Sequence, residues 1–174
     1  MLSRLQYRES IKIKVEMKFI TNVNGNYLRE IHENIKPEMV EELRVAVAYG
    51  SDSPPVLEWA WKNDIPLRYW CRYDHTVPVS TAILKKFLER KSFKYRCFLA
   101  PNFFHAKIIW FVGYGVYIGS HNLTDRAWNK NIEAGCFFTQ SEIIRDSMDK
   151  ELEDFFSYVN SKSTELNQAA YEYL

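Results

Sequence analysis

No stretch of this sequence approaches the ~18 consecutive apolar residues that a membrane-crossing helix needs. The first residues are no substitute: Arg4, Arg8, Glu9, Lys12 and Lys14 interrupt them, so they offer no apolar core for a secretion signal. Cysteine is scarce. Cys71, Cys97 and Cys136 are odd in number, far apart and without a CxxC pair, which argues against a disulfide framework and a structural zinc site. Three small apolar side chains in a reducing cytoplasm are the expectation. Glycine and proline number only six each, which excludes a collagen-like or low-complexity chain. Net charge is nearly absent as well: 23 Lys and Arg meet 22 Asp and Glu, giving +1. A uniformly basic coat for nucleic acid is excluded, although a local basic patch is not.

What is present is core material. Apolar residues make up 47% of 174 residues and aromatics 16%, enough for one well-filled domain. Residues 1–16 alternate apolar and charged positions and are read as an extension. The domain proper is expected over 17–160, with 161–174 as a C-terminal tail. Leu28, Ile31 and Ile35 repeat at helical spacing. Pro37 suits a first helical turn and predicts a short helix to Leu43. RVAVAYG (44–50), IPLRYWC (65–71), KYRCFLA (94–100), FHAKIIWFV (104–112), GVYIGS (115–120) and IEAGCFF (132–138) read as strands. Helices are expected over Val56–Lys62, Ala82–Lys91 and Ile143–Val159, the last with Ile144, Met148, Leu152, Phe155, Phe156 and Val159 inward. Interleaved strands and helices predict a layered α/β domain on a mixed sheet.

The neutral total hides polarity. The last 34 residues carry eight acids against three bases, whereas residues 84–107 hold Lys85, Lys86, Arg90, Lys91, Lys94, Arg96 and Lys107 against Glu89 alone.

The segment from Phe104 to Gly135 holds polar residues in pairs with one residue between them: His105 and Lys107, Ser120 and Asn122, Asn131 and Glu133. On an extended chain such pairs share a side. Val112-Gly113-Tyr114-Gly115 between two β-rich runs signals a hairpin. With Gly113 and Tyr114 as a two-residue loop, Lys107 falls opposite Ser120 and His105 opposite Asn122, a polar cluster at the hairpin's open end. A histidine can serve as nucleophile or general acid and base. An ammonium, a hydroxyl and a carboxamide beside it supply donors for a multi-oxygen anion such as phosphate. A glutamate one strand away can accept from an imidazole and stabilise its protonated form. A solvated sheet edge is the plain alternative.

These residues resemble the signature of the phospholipase D superfamily: His105-Ala106-Lys107, then Gly119-Ser120-His121-Asn122, then Asn131-Ile132-Glu133. The acidic residue usual five positions after the lysine is replaced by Val112. The resemblance implies a phospholipase D-like fold, a mixed β-sheet flanked by helices on both faces. It also implies two-step phosphodiester transfer through a phosphohistidine, with no metal and no cofactor. Family enzymes use two such motifs, and this chain carries one. It is therefore similar to the small single-motif nucleases that build one site across a symmetric homodimer. On that pattern His105 of one subunit attacks phosphorus and His105 of the other protonates the leaving oxygen. Lys107 and Asn122 bind phosphoryl oxygens, Ser120 contributes less, and Glu133 orients a histidine.

Nucleic acid is the expected partner, DNA first and RNA second. No amphipathic membrane-facing segment is evident, and Lys85, Lys86, Arg90, Lys91, Lys94 and Arg96 are candidate contacts to a phosphate backbone. The alternatives are a non-catalytic nucleic-acid-binding or dimerisation module, a domain of a larger restriction or helicase-type protein, and a phospholipid phosphodiesterase. The Phe19-Ile20-Thr21-Asn22 stretch is similar to helicase-fused nuclease domains of the same superfamily. Among the remaining histidines, His121 is expected to face away from the site, His75 beside Asp74 to lie in an exposed loop, and His32 to sit on a helix surface. Ser51, Asp52 and Ser53 are expected either to line the mouth of the site or to cap a helix.

Overall fold

The computed structural model describes residues 17–23 and 27–173; the expected extension over 1–16 lies outside them. In chain order the elements are β1 (Lys18–Thr21), α1 (Tyr27–Asn34), β2 (Glu42–Val47), α2 (Pro55–Lys62), β3 (Leu67–Arg72), α3 (Thr81–Glu89) and β4 (Tyr95–Ala100). They continue with β5 (Lys107–Val112), β6 (Gly115–Gly119), α4 (Asp125–Asn129), β7 (Ala134–Thr139), α5 (Gln140–Arg145), α6 (Met148–Ser161), β8 (Thr164–Glu165) and α7 (Gln168–Glu172). The eight strands form one sheet in the order β1-β7-β6-β5-β2-β3-β4-β8. Only β2, β3 and β4 run parallel to one another; the remaining pairings are antiparallel.

Strand alternation divides the core in two. Val45, Val47, Tyr69, Cys71, Ile109, Phe111 and Tyr117 point to the face covered by Leu28 of α1, Leu57 of α2, Phe87 of α3 and Trp128 of α4. Their chain neighbours Ala46, Trp70, Trp110 and Val116 point to the other face, under Ile143 of α5 and Leu152, Phe156 and Val159 of α6. There Phe156 lies 5.0 Å from the Trp70 ring and 5.9 Å from the Trp110 ring. Truncating it to alanine would cost about 3–5 kcal/mol. Both faces are therefore helix-covered, as the expected fold requires. Among the described residues no helix is long and apolar enough to cross a membrane.

Four local expectations are corrected. Pro37 opens only a single 3-10 turn, Pro37–Met39, and Leu43 belongs to β2. Leu43 and Val45 bury on one face while Ala46 buries on the other, so strand periodicity overrides the helix start. The final helix is broken in two at Ser147, whose φ of 58° takes the chain out of the helical region. Ile144, expected inward, is 63% exposed as a result. The hairpin register is displaced by one residue, because Phe111 rather than Val112 pairs with Gly115. The connection is a turn closed by Tyr114 N–H donating to the Phe111 carbonyl, with Gly113 supplying φ of 90° at its third position. Finally, His32 is buried, with its ring edge-on to Trp59 and Trp128. Of the segment 161–174, Thr164–Glu165 pair with β4, Leu166 is buried, and α7 lays Ala170 and Tyr171 on the core.

Candidate active site

The carboxyl ends of β2, β3 and β4 meet the start of β5, the end of β6 and the start of β7 along one edge of the sheet. In open α/β sheets this is where ligands collect. Lys107 is the first residue of β5 and pairs with Val47, the last of β2. His105 stands two residues earlier, exposed in the β4–β5 loop. The Lys107 ammonium lies 3.1 and 3.3 Å from the two ring nitrogens of His105 and donates to the His105 carbonyl at 2.9 Å. Partial burial lowers the pKa of Lys107, and the charge of Glu133 opposes that shift. The ammonium has no carboxylate within 4 Å among the described residues and is open to an incoming anion.

With the register displaced by one residue, Lys107 falls beside Gly119, and Ser120 and Asn122 lie beyond the last paired residue of β6. Strand parity no longer dictates their direction there. Local bonds do. Ser120 N–H donates to the Ala134 carbonyl at 2.9 Å, Ala134 N–H donates to Ser120 Oγ at 3.0 Å, and the Ser120 hydroxyl donates to Glu133. Asn131 Nδ2 donates to the second Glu133 oxygen at 3.0 Å. Glu133 makes no hydrogen bond to an imidazole of its own chain among the described residues; its carboxylate holds Ser120 and acts on Lys107 through its field. Asn122 is placed by its neighbour Leu123, which is fully buried and whose N–H donates to the Tyr49 carbonyl at 2.9 Å. Asn122 Oδ1 is itself buried and lacks a partner among the described residues.

Several residues of this site were not assigned to it from sequence. Tyr49, two residues beyond the carboxyl end of β2, sets its ring edge-on to His105 with centroids 6.0 Å apart. Arg72 Nη1 donates to the Tyr49 hydroxyl at 2.7 Å, and Arg72 Nε pairs with Asp74. Hydrogen bonds from Thr76, with a smaller contribution from Arg72, hold the Asp74 carboxyl down at about 2. The only available signal for Tyr49 was its place at a strand's carboxyl end. Asn22 clamps the far side: its Nδ2 donates to the Asn131 carbonyl at 2.5 Å and its Oδ1 accepts from Glu133 N–H at 3.0 Å.

Tyr117 props the floor. Its hydroxyl lies 2.6 Å from His121 Nδ1, and burial pushes its pKa up to about 12. The ring fits only because residues 119 and 135 are glycines; a Cβ on Gly135 would stand 2.6 Å from the ring, and one on Gly119 would overlap the hydroxyl. His121 is 1% exposed and turned inward against Tyr117 and Trp128, away from the open site. Burial lowers its pKa and keeps it neutral.

The other candidates fall elsewhere. His75 is exposed, and Asp74 bonds Arg72 and Thr76 rather than His75. Ser51 Oγ accepts from Asp125 N–H at 2.9 Å and Asp52 bonds Ser80, the N-cap of α3, so both act in capping. The basic stretch runs away from the site. Lys94 and Arg96 lie at the opposite end of β4, paired with Asp64 at 2.5 Å and Glu165 at 2.7 Å. Lys86 pairs with Glu58 at 2.5 Å, Lys85 with Glu89 at 3.8 Å, and Arg90 lies 5.9 Å from the Trp61 ring. Lys91 is exposed just beyond α3. Val112, which stands where the family motif has an acid, pairs with Glu42 at the far end of β5, about 17 Å from Lys107 by strand rise.

Comparison with known proteins agrees with this geometry. The fold is similar to Nuc, a phospholipase D family member from Salmonella typhimurium, with 14% identity and a TM-score of 0.62 over 87% of this chain and 98% of that one. NucT from Helicobacter pylori is similar at 14% identity and a TM-score of 0.54, over 87% of this chain and 100% of that one. A phosphatidylserine synthase from Haemophilus influenzae gives 13% identity and a TM-score of 0.64, over 86% of this chain and 40% of that one. No curated protein matches the sequence. The family model described as cardiolipin synthase, PLD-like domain, matches residues 12–156. By that match the chain belongs to the phospholipase D superfamily, whose enzymes act on phosphodiesters.

Proposed function

We propose that this protein is a metal-independent endonuclease acting on DNA, with RNA as a second substrate, through a phosphohistidine in a site shared by two subunits. The observation that carries the reading is the contact between an exposed imidazole, His105, and a partly buried ammonium, Lys107, at the open sheet edge. A nitrogen of a neutral His105 attacks phosphorus, and the bond to the leaving oxygen breaks. Lys107, with Asn122 and Ser120 beside it, stabilises the charge that builds on the phosphoryl oxygens. The leaving oxygen needs a proton. Among the described residues His121 and His32 are buried and neutral, and His75 stands exposed in the loop after β3 with no hydrogen bond or ring contact to His105, so no second imidazole of the same chain adjoins the attacking one. His105 of the partner subunit is the donor in this reading. It then takes a proton from the water that attacks phosphorus and breaks the P–N bond.

Phosphate ligation by an ammonium and an amide leaves no role for a divalent cation, which would call for a set of carboxylates. The test is incubation with plasmid, single-stranded DNA, RNA and phosphatidylglycerol vesicles in excess chelator. Cleavage of DNA, lost in His105→Asn, is expected; cleavage only after Mg²⁺ addition would overturn the mechanism, and turnover of the vesicles alone would favour the phospholipid reading. Mixing wild-type with His105→Ala chains should lower activity as the square of the wild-type fraction. A linear fall would mean that each chain works alone.

A further inference from the structure

A second feature opens beside His105. The β4–β5 loop that presents the imidazole also presents two phenyl rings that behave differently. Phe104 is buried and anchors the loop, whereas Phe103 stands 74% exposed. Opposite them, the end of α6 contributes Phe155, Val159 and Tyr158, the last 61% exposed, with the Lys162 ammonium 5.7 Å from its ring. Together with His105 these side chains line an open cavity of about 200 Å³.

We propose that this cavity takes one unpaired nucleobase adjacent to the phosphate held at His105 and Lys107, so that single strands are preferred over duplex. The inference rests on the nuclease reading above and adds the form of nucleic acid to it. Three observations choose the occupant. First, the lining offers aromatic faces and one ammonium, that of Lys162, and contains no carboxylate, which suits a flat ring joined to a phosphate. Second, the volume lies below the ~300 Å³ of sites for drug-sized ligands, so one ring system fits and a pair of acyl chains does not. Third, His105 belongs both to this wall and to the reacting site, so a base seated here is joined by its own sugar to the phosphate under attack. Within a duplex that base is covered on both faces, and extruding it costs a few kcal/mol. A single strand avoids that cost.

The test is binding of a short single-stranded oligonucleotide carrying 2-aminopurine, in the His105→Asn background so that no turnover consumes it. Phe103→Ala with Tyr158→Ala alters two exposed rings, and an unchanged melting curve verifies the fold. The double variant is expected to bind about 10- to 100-fold more weakly and to lose the fluorescence quenching. The matching duplex should bind the parent more weakly than the single strand does. Equal affinity with and without the two rings would overturn the assignment. So would binding of phosphatidylglycerol vesicles that vanishes with the rings, or dissociation of a dimer into monomers, which would make the patch a subunit interface. Hydrolysis of bis(4-nitrophenyl) phosphate by the unaltered protein reports separately on the phosphodiesterase reading, which can fail without affecting the binding result.

Discussion

The two ends of the sheet use basic residues in opposite ways. At one end Arg44, Arg68 and Arg96 are neighbours in register across β2, β3 and β4. Guanidinium groups on strands ~5 Å apart repel, and every one of these is answered. Glu42 pairs with Arg44 at 2.5 Å and Arg68 at 2.7 Å, Glu153 reaches Arg44 from α6 at 2.7 Å, and Glu165 meets Arg96 from β8 at 2.7 Å. At the other end Lys107 has the His105 imidazole as its neighbour and, among the described residues, no acid in contact. Charge that is neutralised holds elements together; charge left open is available to a ligand. A count of bases along the chain cannot tell the two apart.

Replacing Lys107 by methionine attacks the open end directly. Loss of one preorganised cation is expected to lower kcat on a chromogenic phosphodiester about 10²- to 10³-fold, with the melting temperature little changed. A loss confined to stability would place Lys107 among the structural cations instead. Gly119→Ala comes next, because it drives a methyl group into the Tyr117 hydroxyl. About 1–3 kcal/mol of destabilisation is expected from such overpacking, read by urea titration, together with reduced kcat as the Ser120–Asn122 segment shifts. Tyr117→Phe in the same chain should recover part of the stability.

The third test uses pH. His32 and His121 are held below their ordinary pKa, mainly by burial. Above the ordinary histidine value of about 6.5 both are neutral, folded or unfolded, and nothing is lost. As pH falls through that value the unfolded chain takes up protons that the folded chain refuses. Stability should therefore drop by up to ~1.4 kcal/mol per pH unit for each histidine, until the lowered folded pKa is reached. Urea titrations between pH 7 and 5 measure the slope, and His32→Gln should remove its share; an unchanged slope would refute that assignment. The smallest effect belongs to the neutralised end. Lys94→Gln with Arg96→Gln is expected to leave the salt dependence of DNA binding nearly unaltered and to cost no more than about 1 kcal/mol of stability per pair. A clear flattening of the salt slope would return these residues to the binding surface.

Much of this organisation was legible in the sequence. Runs such as Arg44–Val47 and Lys107–Val112 have the short, β-rich form of central strands, and the spacing of His105, Lys107, Ser120, Asn122 and Glu133 singled out the segments that meet at the sheet edge. What was not legible depended on partners distant in sequence. The hairpin register turned on whether Phe111 or Val112 faces Gly115, a three-residue or a two-residue connection, which no local rule decides. His32 looked like a surface residue because its own helix is polar there; Trp59 and Trp128, which bury it, come from two other elements. The basic stretch looked available because the acids that bind it are distant in sequence, Asp64 and Glu165 among them. Tyr49 and Asn22 lie outside the motif and join the site only through tertiary contact.

The clamp made by Asn22 has a consequence for how the protein matures. Lys18 pairs with Phe137, and Asn22 bonds the backbone of Asn131 and Glu133, more than a hundred residues later in the chain. Contacts of such long sequence separation carry the largest loop-closure cost and form late. On a ribosome, β1 emerges early and has to wait for β7 before it finds its sheet neighbour. Glu133 is therefore fixed among the last events of folding, and a nascent chain that already holds β2 to β6 still lacks a finished centre. A cell making a phosphodiesterase of this design would be exposed to its activity only after nearly the whole domain has been made.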